Sequence, residues 1–407
     1  MNGMMEPEIR FEGYDGEWKN HILIDIASFK KGQGYSKADL RNDGNPIILY
    51  GQMYTKYQVC IAHVDTYVIK KEGSILSKGK EIIIPASGET AEDIACASVV
   101  RQEGVILGGD LNIIVLDNNY SPEFAALSLT YGEAHKELTK VAQGKTVVHL
   151  HNSEIANAKI SFPIDSAEQQ QIASYFTSLD NLIQSATKKI ASLKQLKSAS
   201  LISMFPQEGE VKPRVRFKGF KEDWKNVSFI DITYRTGIKN GENLPLESYS
   251  ISNEFGFIPQ NEQFENGGTM FSADKRMYYI VSPKSFAYNP ARINVGSLGY
   301  YNGKKEVIVS SLYEVFKTND LIEDQFLLCW FKTDIFQKMI EQYQEGGVRL
   351  YFFYDKLCKC TIKIPSLQEQ RQIASFFCSL DKQISLETQR LDKFKQIKSA
   401  CLDKMFV

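Results

Sequence analysis

Along residues 170–204 apolar side chains return in alternating steps of four and three, at Ile172, Phe176, Leu179, Ile183, Ala186, Ile190 and Leu193. Such spacing predicts a seam down one side of a long helix, and no Pro or Gly interrupts it. At 1.5 Å per residue the helix is about 50 Å long, too long to bury its seam within one small domain. A second stretch, 372–405, carries the matching seam: Ile373, Phe377, Leu380, Ile384, Glu387, Leu391, Phe394, Lys398, Cys401 and Met405. The two stretches agree residue for residue at an offset of 201: Ser178-Leu179-Asp180 with Ser379-Leu380-Asp381, and Met204-Phe205 with Met405-Phe406.

The repeat extends beyond the helices. Pro7-x-Ile9-Arg10-Phe11-x-Gly13 returns as Pro213-x-Val215-Arg216-Phe217-x-Gly219, and Trp18-Lys19-Asn20 as Trp224-Lys225-Asn226. A period of about 200 residues is too long for a solenoid and indicates a tandem duplication. The ends of each half agree, whereas the middles, about 30–160 and 235–362, do not align. Short apolar runs at 46–50, 67–69, 81–84, 104–107 and 111–116 predict strands in the first middle, with a helix over 122–138 ending near Gly144 and a last strand at 159–163. In the second middle, strands are expected at 277–281, 285–288, 307–309, 313–316 and 360–365, with a helix over 325–339. The polar stretch 206–213, with Gly209 and Pro at both ends, reads as a domain boundary.

The fold class is therefore α+β: two globular domains joined by an antiparallel coiled coil of two long helices, in a pseudo-two-fold tandem repeat. The segments are 1–165, the first domain; 166–205, the first long helix; 206–365, the second domain; and 366–407, the second long helix. Chain start and chain end are expected to lie near each other.

Composition narrows the class without naming it. With 43% apolar content, 407 residues suffice for two ordinary cores. The formal charge of −1 gives no overall basic field, so any nucleic-acid surface must be local. No run of 18 apolar residues predicts a membrane span, and MNGMMEPEIRF has no signal-peptide core. Seven cysteines lack a framework spacing, which suits a reduced, cytoplasmic protein.

Catalytic and metal motifs are weak. Gln143-Gly144-Lys145-Thr146 ends like a phosphate-binding loop, but Thr139 stands where that loop needs glycine; a loop after a helix is the plain reading. Asn289-Pro290-Ala291-Arg292 resembles the Asn-Pro-Pro-aromatic motif of amino-methyltransferases, without the second Pro or the aromatic. Glu17-Trp18-Lys19 and Asp223-Trp224-Lys225 resemble the tail of a nuclease metal motif, yet the upstream Pro-Asp is missing and each Trp reads as a domain anchor. His63-x-Asp65 and His149-x-His151 each put two ligands on one strand face with no third in sight. No catalytic residue and no metal site is assigned.

The halves close on Pro163-x4-Glu168-Gln169-Gln170-Gln171-Ile172-Ala173 and Pro365-x3-Glu369-Gln370-Arg371-Gln372-Ile373-Ala374, and open on Arg-Phe-x-Gly-(Tyr/Phe)-x3-Trp. This pattern resembles the specificity subunit of Type I restriction-modification enzymes, over the whole chain and twice at the right period. The first half departs only in a leader one residue longer, at Asp165-Ser166-Ala167.

The resemblance implies that each middle is a target recognition domain reading one part of an asymmetric, bipartite site on double-stranded DNA. The coil sets the gap and docks two modification subunits that methylate adenine. It also implies that S-adenosylmethionine, ATP and Mg belong to the modification and restriction (translocase and endonuclease) subunits, that this chain holds no cofactor and has no turnover, and that it works in the prokaryotic cytoplasm. The alternatives are a coiled-coil protein scaffold without DNA readout, or a self-contained methyltransferase.

Base edges are read by Arg, Lys, Asn or Gln, and phosphates by cations, hydroxyls and backbone amides. On that chemistry the candidate DNA contacts of the first domain are Lys56, Tyr57, Lys78, Lys80, Ser87, Arg101 and Gln102. Those of the second are Lys239, Asn240, Arg276, Arg292, Lys304, Lys305, Arg349 and Tyr351. The loops around 76–80, 99–103, 237–241, 302–305 and 346–351 are expected to act as groups. Coil packing is expected of Ile172, Phe176, Leu179, Ile183, Ile190, Leu193, Ile373, Phe377, Leu380, Ile384, Leu391 and Phe394. Off the seam, Gln169, Gln170, Gln370 and Arg371, with Lys188-Lys189 and Lys393-x-Lys395, are open to docking, against the ordinary reading of a solvated helix face.

Overall fold

The computed structural model describes residues 6–55, 57–142, 144, 147–263 and 274–406. The chain forms two compact units: Met1–Lys188 with Thr388–Val407, and Lys189–Glu387. These units run across the linear segments, because each contains part of both long helices.

In the first unit the strand after Trp18, Lys19–Ile22, pairs antiparallel with the last strand, Lys159–Phe162, Lys19 lying opposite Phe162. A five-stranded sheet runs in the order Ala27–Lys31, Leu111–Leu116, Glu81–Pro85, Ser98–Val100, Cys60–Ile61. A smaller sheet places Asn45–Ile48 between Tyr67–Val68 and Ile106–Leu107. The apolar runs 81–85 and 111–116 are the buried centre. Ala27–Lys31 reads as polar in the sequence because it is a half-exposed edge. The helix expected over 122–138 is two helices, Pro122–Tyr131 and Glu133–Val141. Gly132 leaves helical backbone between them while its N–H closes the first on the Ser128 carbonyl.

The second unit repeats the outer pairing, Lys225–Ser228 with Thr361–Ile364, Lys225 lying opposite Ile364. Its two sheets differ from those of the first. One has the order Thr233–Arg235, Glu314–Thr318, Ser285–Tyr288, Leu298–Tyr301; the other has Ile238–Lys239, Tyr279–Val281, Val307–Val309, Ser248–Ser252, Gly256–Pro259. The helix expected over 325–339 is again two, Asp324–Trp330 and Asp334–Tyr343. Thr333 ends the first by bonding the Trp330 carbonyl with its hydroxyl (2.7 Å) and backbone N–H, and it sits at the N-cap of the second.

The long helices are Ser166–Ser203 and Leu367–Met405, of 38 and 39 residues. Within the first unit they pack antiparallel: Asp180 pairs with Lys398 (2.5 Å) and Phe176 packs on Phe406 (5.7 Å between centroids). Within the second unit Lys197 pairs with Asp381, and Lys189 with Glu387 (2.5 Å). Polar residues on the seam are thus matched by charge: Lys398 and Glu387 each find a partner on the facing helix. Ile172, Phe176, Leu179, Ile373, Phe377, Leu380 and Leu391 are buried; Ile183, Ile190, Leu193, Ile384 and Phe394 are half-buried. Among the described residues, no helix is long and apolar enough to cross a membrane.

Candidate nucleic-acid interface

Each unit holds its variable part on the same side-chain frame. Glu168 accepts a two-pronged pair of bonds from Arg10 (2.7 and 2.8 Å), and Glu369 accepts the same from Arg216 (2.7 and 2.7 Å). Both carboxylates are 1% exposed. The neighbouring glutamine is equally committed. Gln169 donates to the Pro163 carbonyl (3.0 Å) and accepts from the Ser121 N–H (3.0 Å). Gln370 donates to the Pro365 carbonyl (3.0 Å) and accepts from the Glu323 N–H (2.8 Å). Ser121 and Glu323 are the N-caps of Pro122–Tyr131 and Asp324–Trp330, so the glutamine ties each of those helices to the start of the long one. Gln169 and Gln370 are therefore buried struts, whereas Gln170 and Arg371 remain exposed. Trp18 packs edge-on to Phe124 (5.3 Å), and Trp224 packs against Phe326 (5.8 Å). The last residue of each helical repeat closes the core: Phe406 on Phe124 and Phe176, Phe205 on Phe326 and Phe377.

On the first frame, two candidate loops form one patch. Ser77 donates its backbone N–H to Val105 and its hydroxyl to the Gln102 carbonyl (2.6 Å), and Arg101 reaches the Gly79 carbonyl (2.9 Å). Arg101 is also ion-paired with Glu123. The Gln102 side chain accepts from the Val64 N–H (2.8 Å), holding the loop that carries exposed His63. Among the described residues Lys78 and Lys80 donate only their backbone N–H groups, both to buried Glu81, and their side chains stand exposed. Tyr57 and Ser87 turn inward. The Tyr57 hydroxyl bonds the Ala97 carbonyl and Thr130, and burial holds its pKa well above the ordinary value; Ser87 bonds Asp110. Lys56 lies outside the described residues, as do Gln143, Lys145 and Thr146.

On the second frame a cleft of about 910 Å³ gathers Arg292, Arg349 and Tyr351 with Arg235, Asn289, Asn294 and Phe353. Its two walls are tied by the Phe352 N–H to the Pro290 carbonyl (2.9 Å). One wall is the turn 289–297. Asn289 accepts the Ala291 N–H on its side chain (3.0 Å) and the Arg292 N–H on its carbonyl (3.0 Å). The Arg292 carbonyl in turn accepts from Val295 and Ser297. The other wall is the loop 345–351, closed by reciprocal backbone bonds between Glu345 and Tyr351. Val348, Arg349 and Leu350 stand exposed on it, and the Tyr351 and Phe353 rings stack at 5.4 Å. Gly346 is required there: its φ is +139°, and a Cβ would meet the Arg349 carbonyl oxygen at 2.0 Å. Gly346→Ala should therefore displace Arg349 and loosen the loop 345–351, which faster hydrogen exchange at the Glu345 and Tyr351 amides will check.

Arg235, also in the cleft, bonds Glu314, which holds its guanidinium pKa above the ordinary value. Asn240 is buried and closes its own turn on Leu244, leaving neighbouring Lys239 exposed. Arg276, Lys304 and Lys305 are exposed and do not line the cleft. The rings of His149 and His151 stack at 6.1 Å, and among the described residues no three His, Cys, Asp or Glu side chains converge as a metal site. Burial pushes the Cys96, Cys329 and Cys360 thiols up to about 12, so none of these is a thiolate at neutral pH.

Two copies of one frame bearing unlike polar surfaces match known proteins. A family model described as Type I restriction modification DNA specificity domain matches residues 15–195 and again 221–396. The chain belongs to this specificity family. The specificity subunit of Type I restriction enzyme MjaVIII from Methanocaldococcus jannaschii is 21% identical over 301 residues, 68% of each chain. The crystal structure of the Type I restriction-modification S subunit from M. genitalium shares the fold with a TM-score of 0.64, covering 99% of both chains at 14% identity. The chain is a DNA sequence-recognition subunit and not itself a catalyst.

Proposed function

We propose that each unit of this specificity subunit reads one part of an asymmetric, bipartite site on double-stranded DNA, and that the long helices set the gap between the parts. The observation that carries this reading is the repeated frame with different sheets and different exposed cations on each copy. A shared frame calls for a shared mode of docking, and unlike heads call for unlike half-sites. Helices of 38 and 39 residues supply a length of about 57 Å, against about 34 Å for one turn of B-DNA. In the first unit the reading surface is the patch of Lys78 and Lys80; in the second it is the arginine cleft. Two modification subunits bring S-adenosylmethionine and methylate adenine. Restriction subunits bring ATP, Mg and cleavage, in the prokaryotic cytoplasm. With a formal charge of −1 on this chain, much of the electrostatic attraction to DNA comes from those partners.

Adenine-methylation mapping tests the proposal. The chain is co-produced with its modification subunit in a methylation-free bacterial host, and the genome is read by single-molecule sequencing. The expected result is a split, asymmetric motif that vanishes when this chain is omitted. Exchanging segment 235–362 for that of another specificity subunit should alter one half-site and leave the other intact. An assembled complex that marks no motif would refute the reading and favour a protein scaffold.

A further inference from the structure

Resting on that DNA-reading assignment, we infer that the second unit reads a guanine through Arg292, while Arg349 holds a neighbouring phosphate. The first support is charge. The cleft is lined by three arginines against a single glutamate. Four other clefts of the protein balance their lysines and arginines against as many carboxylates. The lone carboxylate, Glu314, is bonded by Arg235, so it neither repels phosphates nor competes for the other two guanidinium groups. The second support is availability. Arg214, Arg216, Arg235 and Arg276 of this unit face Glu210, Glu369, Glu314 and Asp274, and the charge of Arg371 acts on Glu323. Arg292 and Arg349 are exposed, with no ion pair or side-chain hydrogen bond among the described residues, and both line the same cleft.

Backbone geometry separates their roles. Arg292 is fixed on both sides: its N–H bonds Asn289, and its carbonyl accepts from Val295 (3.2 Å) and Ser297 (3.1 Å). That held backbone fixes the point from which the Arg292 side chain sets out, which favours a positioned contact to a base edge over a diffuse one to a phosphate. Two parallel guanidinium N–H donors match the O6 and N7 acceptors of guanine in the major groove. The side-chain oxygen of Asn289 accepts the Ala291 N–H, which turns it toward its own backbone. Arg349 stands at an exposed loop tip beside Val348, where a point charge suffices for a phosphate.

The test uses the full chain assembled with its modification subunits. The half-site of the second unit is the one that changes when segment 235–362 is exchanged, and it should contain a guanine. Arg292→Ala should relax that position, cutting discrimination against the other bases by about 10- to 100-fold while the first half-site stays sharp. Arg292→Lys keeps the charge and loses the fork, so it should lose the same discrimination with affinity largely kept. Arg349→Ala should weaken binding to all sequences alike and lower the salt slope of log K by about 1 in anisotropy titrations. A bipartite motif whose second half has no guanine, or one whose guanine survives both Arg292 variants, overturns the inference and leaves the bipartite reading standing. The absence of any motif from the assembled wild-type complex overturns the bipartite reading itself.

Discussion

Glu369→Ala is expected to destabilise the second unit by about 3–5 kcal/mol, the cost of leaving a largely buried cation without its partner. Arg216 is only 13% exposed in its side chain and Glu369 1%. The bond is two-pronged, so both carboxylate oxygens accept from one guanidinium at once. The pair joins the segment leading into the unit to the first turn of the second long helix, and its loss frees both. In a unit of about this size each kcal/mol moves the midpoint by about 2–4 °C, so the shift should be of order 10 °C. The double variant Arg216→Met with Glu369→Leu should recover most of that loss, because an apolar pair of similar volume carries no desolvation penalty. Hydrogen exchange read by mass spectrometry should confine the change to peptides of residues 189–387. If the single variant is as stable as the double, the pair is not a strut and the shared frame loses its central element.

The same frame explains which features of the chain are legible in its sequence. The long helices stand out because a seam of seven-residue period persists over more than twenty positions, and because it occurs twice. Strands such as Ser285–Tyr288, Val307–Val309 and Leu111–Leu116 stand out because they are buried centres with continuous apolar runs. Ser248–Ser252 and Ala27–Lys31 do not, since half of each strand's residues are polar or exposed and the strand exists only through its neighbour. Helices that read as single are each two, broken at Gly132 and across residues 331–333, where the break depends on which carbonyls the local N–H and hydroxyl groups meet. Candidate site residues divide on similar grounds. Lys78, Lys80, Arg292 and Arg349 are long cations in turns, and among the described residues none of their charged ends is ion-paired. Tyr57, Ser87 and Asn240 are polar groups whose direction is decided by Thr130, Asp110 and Leu244, distant or local partners that no pattern announces. The strut role of Gln169 and Gln370 did have a signal: the Glu-Gln pair recurs in both copies a short leader after the last strand, where two identical polar residues ahead of an apolar seam serve the frame rather than the variable surface.

Phe406→Ala should destabilise the first unit, although residue 406 follows directly on the helix that begins in the second. Its ring packs on Phe124 at 5.6 Å and Phe176 at 5.7 Å, among Met405, Leu402 and Trp18. Truncating a buried phenylalanine removes its transfer energy and leaves a cavity, about 3–5 kcal/mol together. The matching residue, Phe205, fills the same place in the second unit between Phe326 and Phe377, and Phe205→Ala should cost a similar amount there. The two variants therefore have crossed effects: the change at the end of the first long helix loosens the second unit, and the change at the end of the second helix loosens the first. Backbone bonds give the same pairing, Ile9 N–H to the Lys404 carbonyl (3.0 Å) and Val215 N–H to the Ser203 carbonyl (2.9 Å). Exchange rates of the peptides around Phe124 and Phe326 report each core separately. Protection lost at Phe124 on mutating Phe406, and at Phe326 on mutating Phe205, is the expected pattern. Loss at Phe326 on mutating Phe406 would mean that the second helix ends in a different core, and the equivalence of the two frames would fall with it.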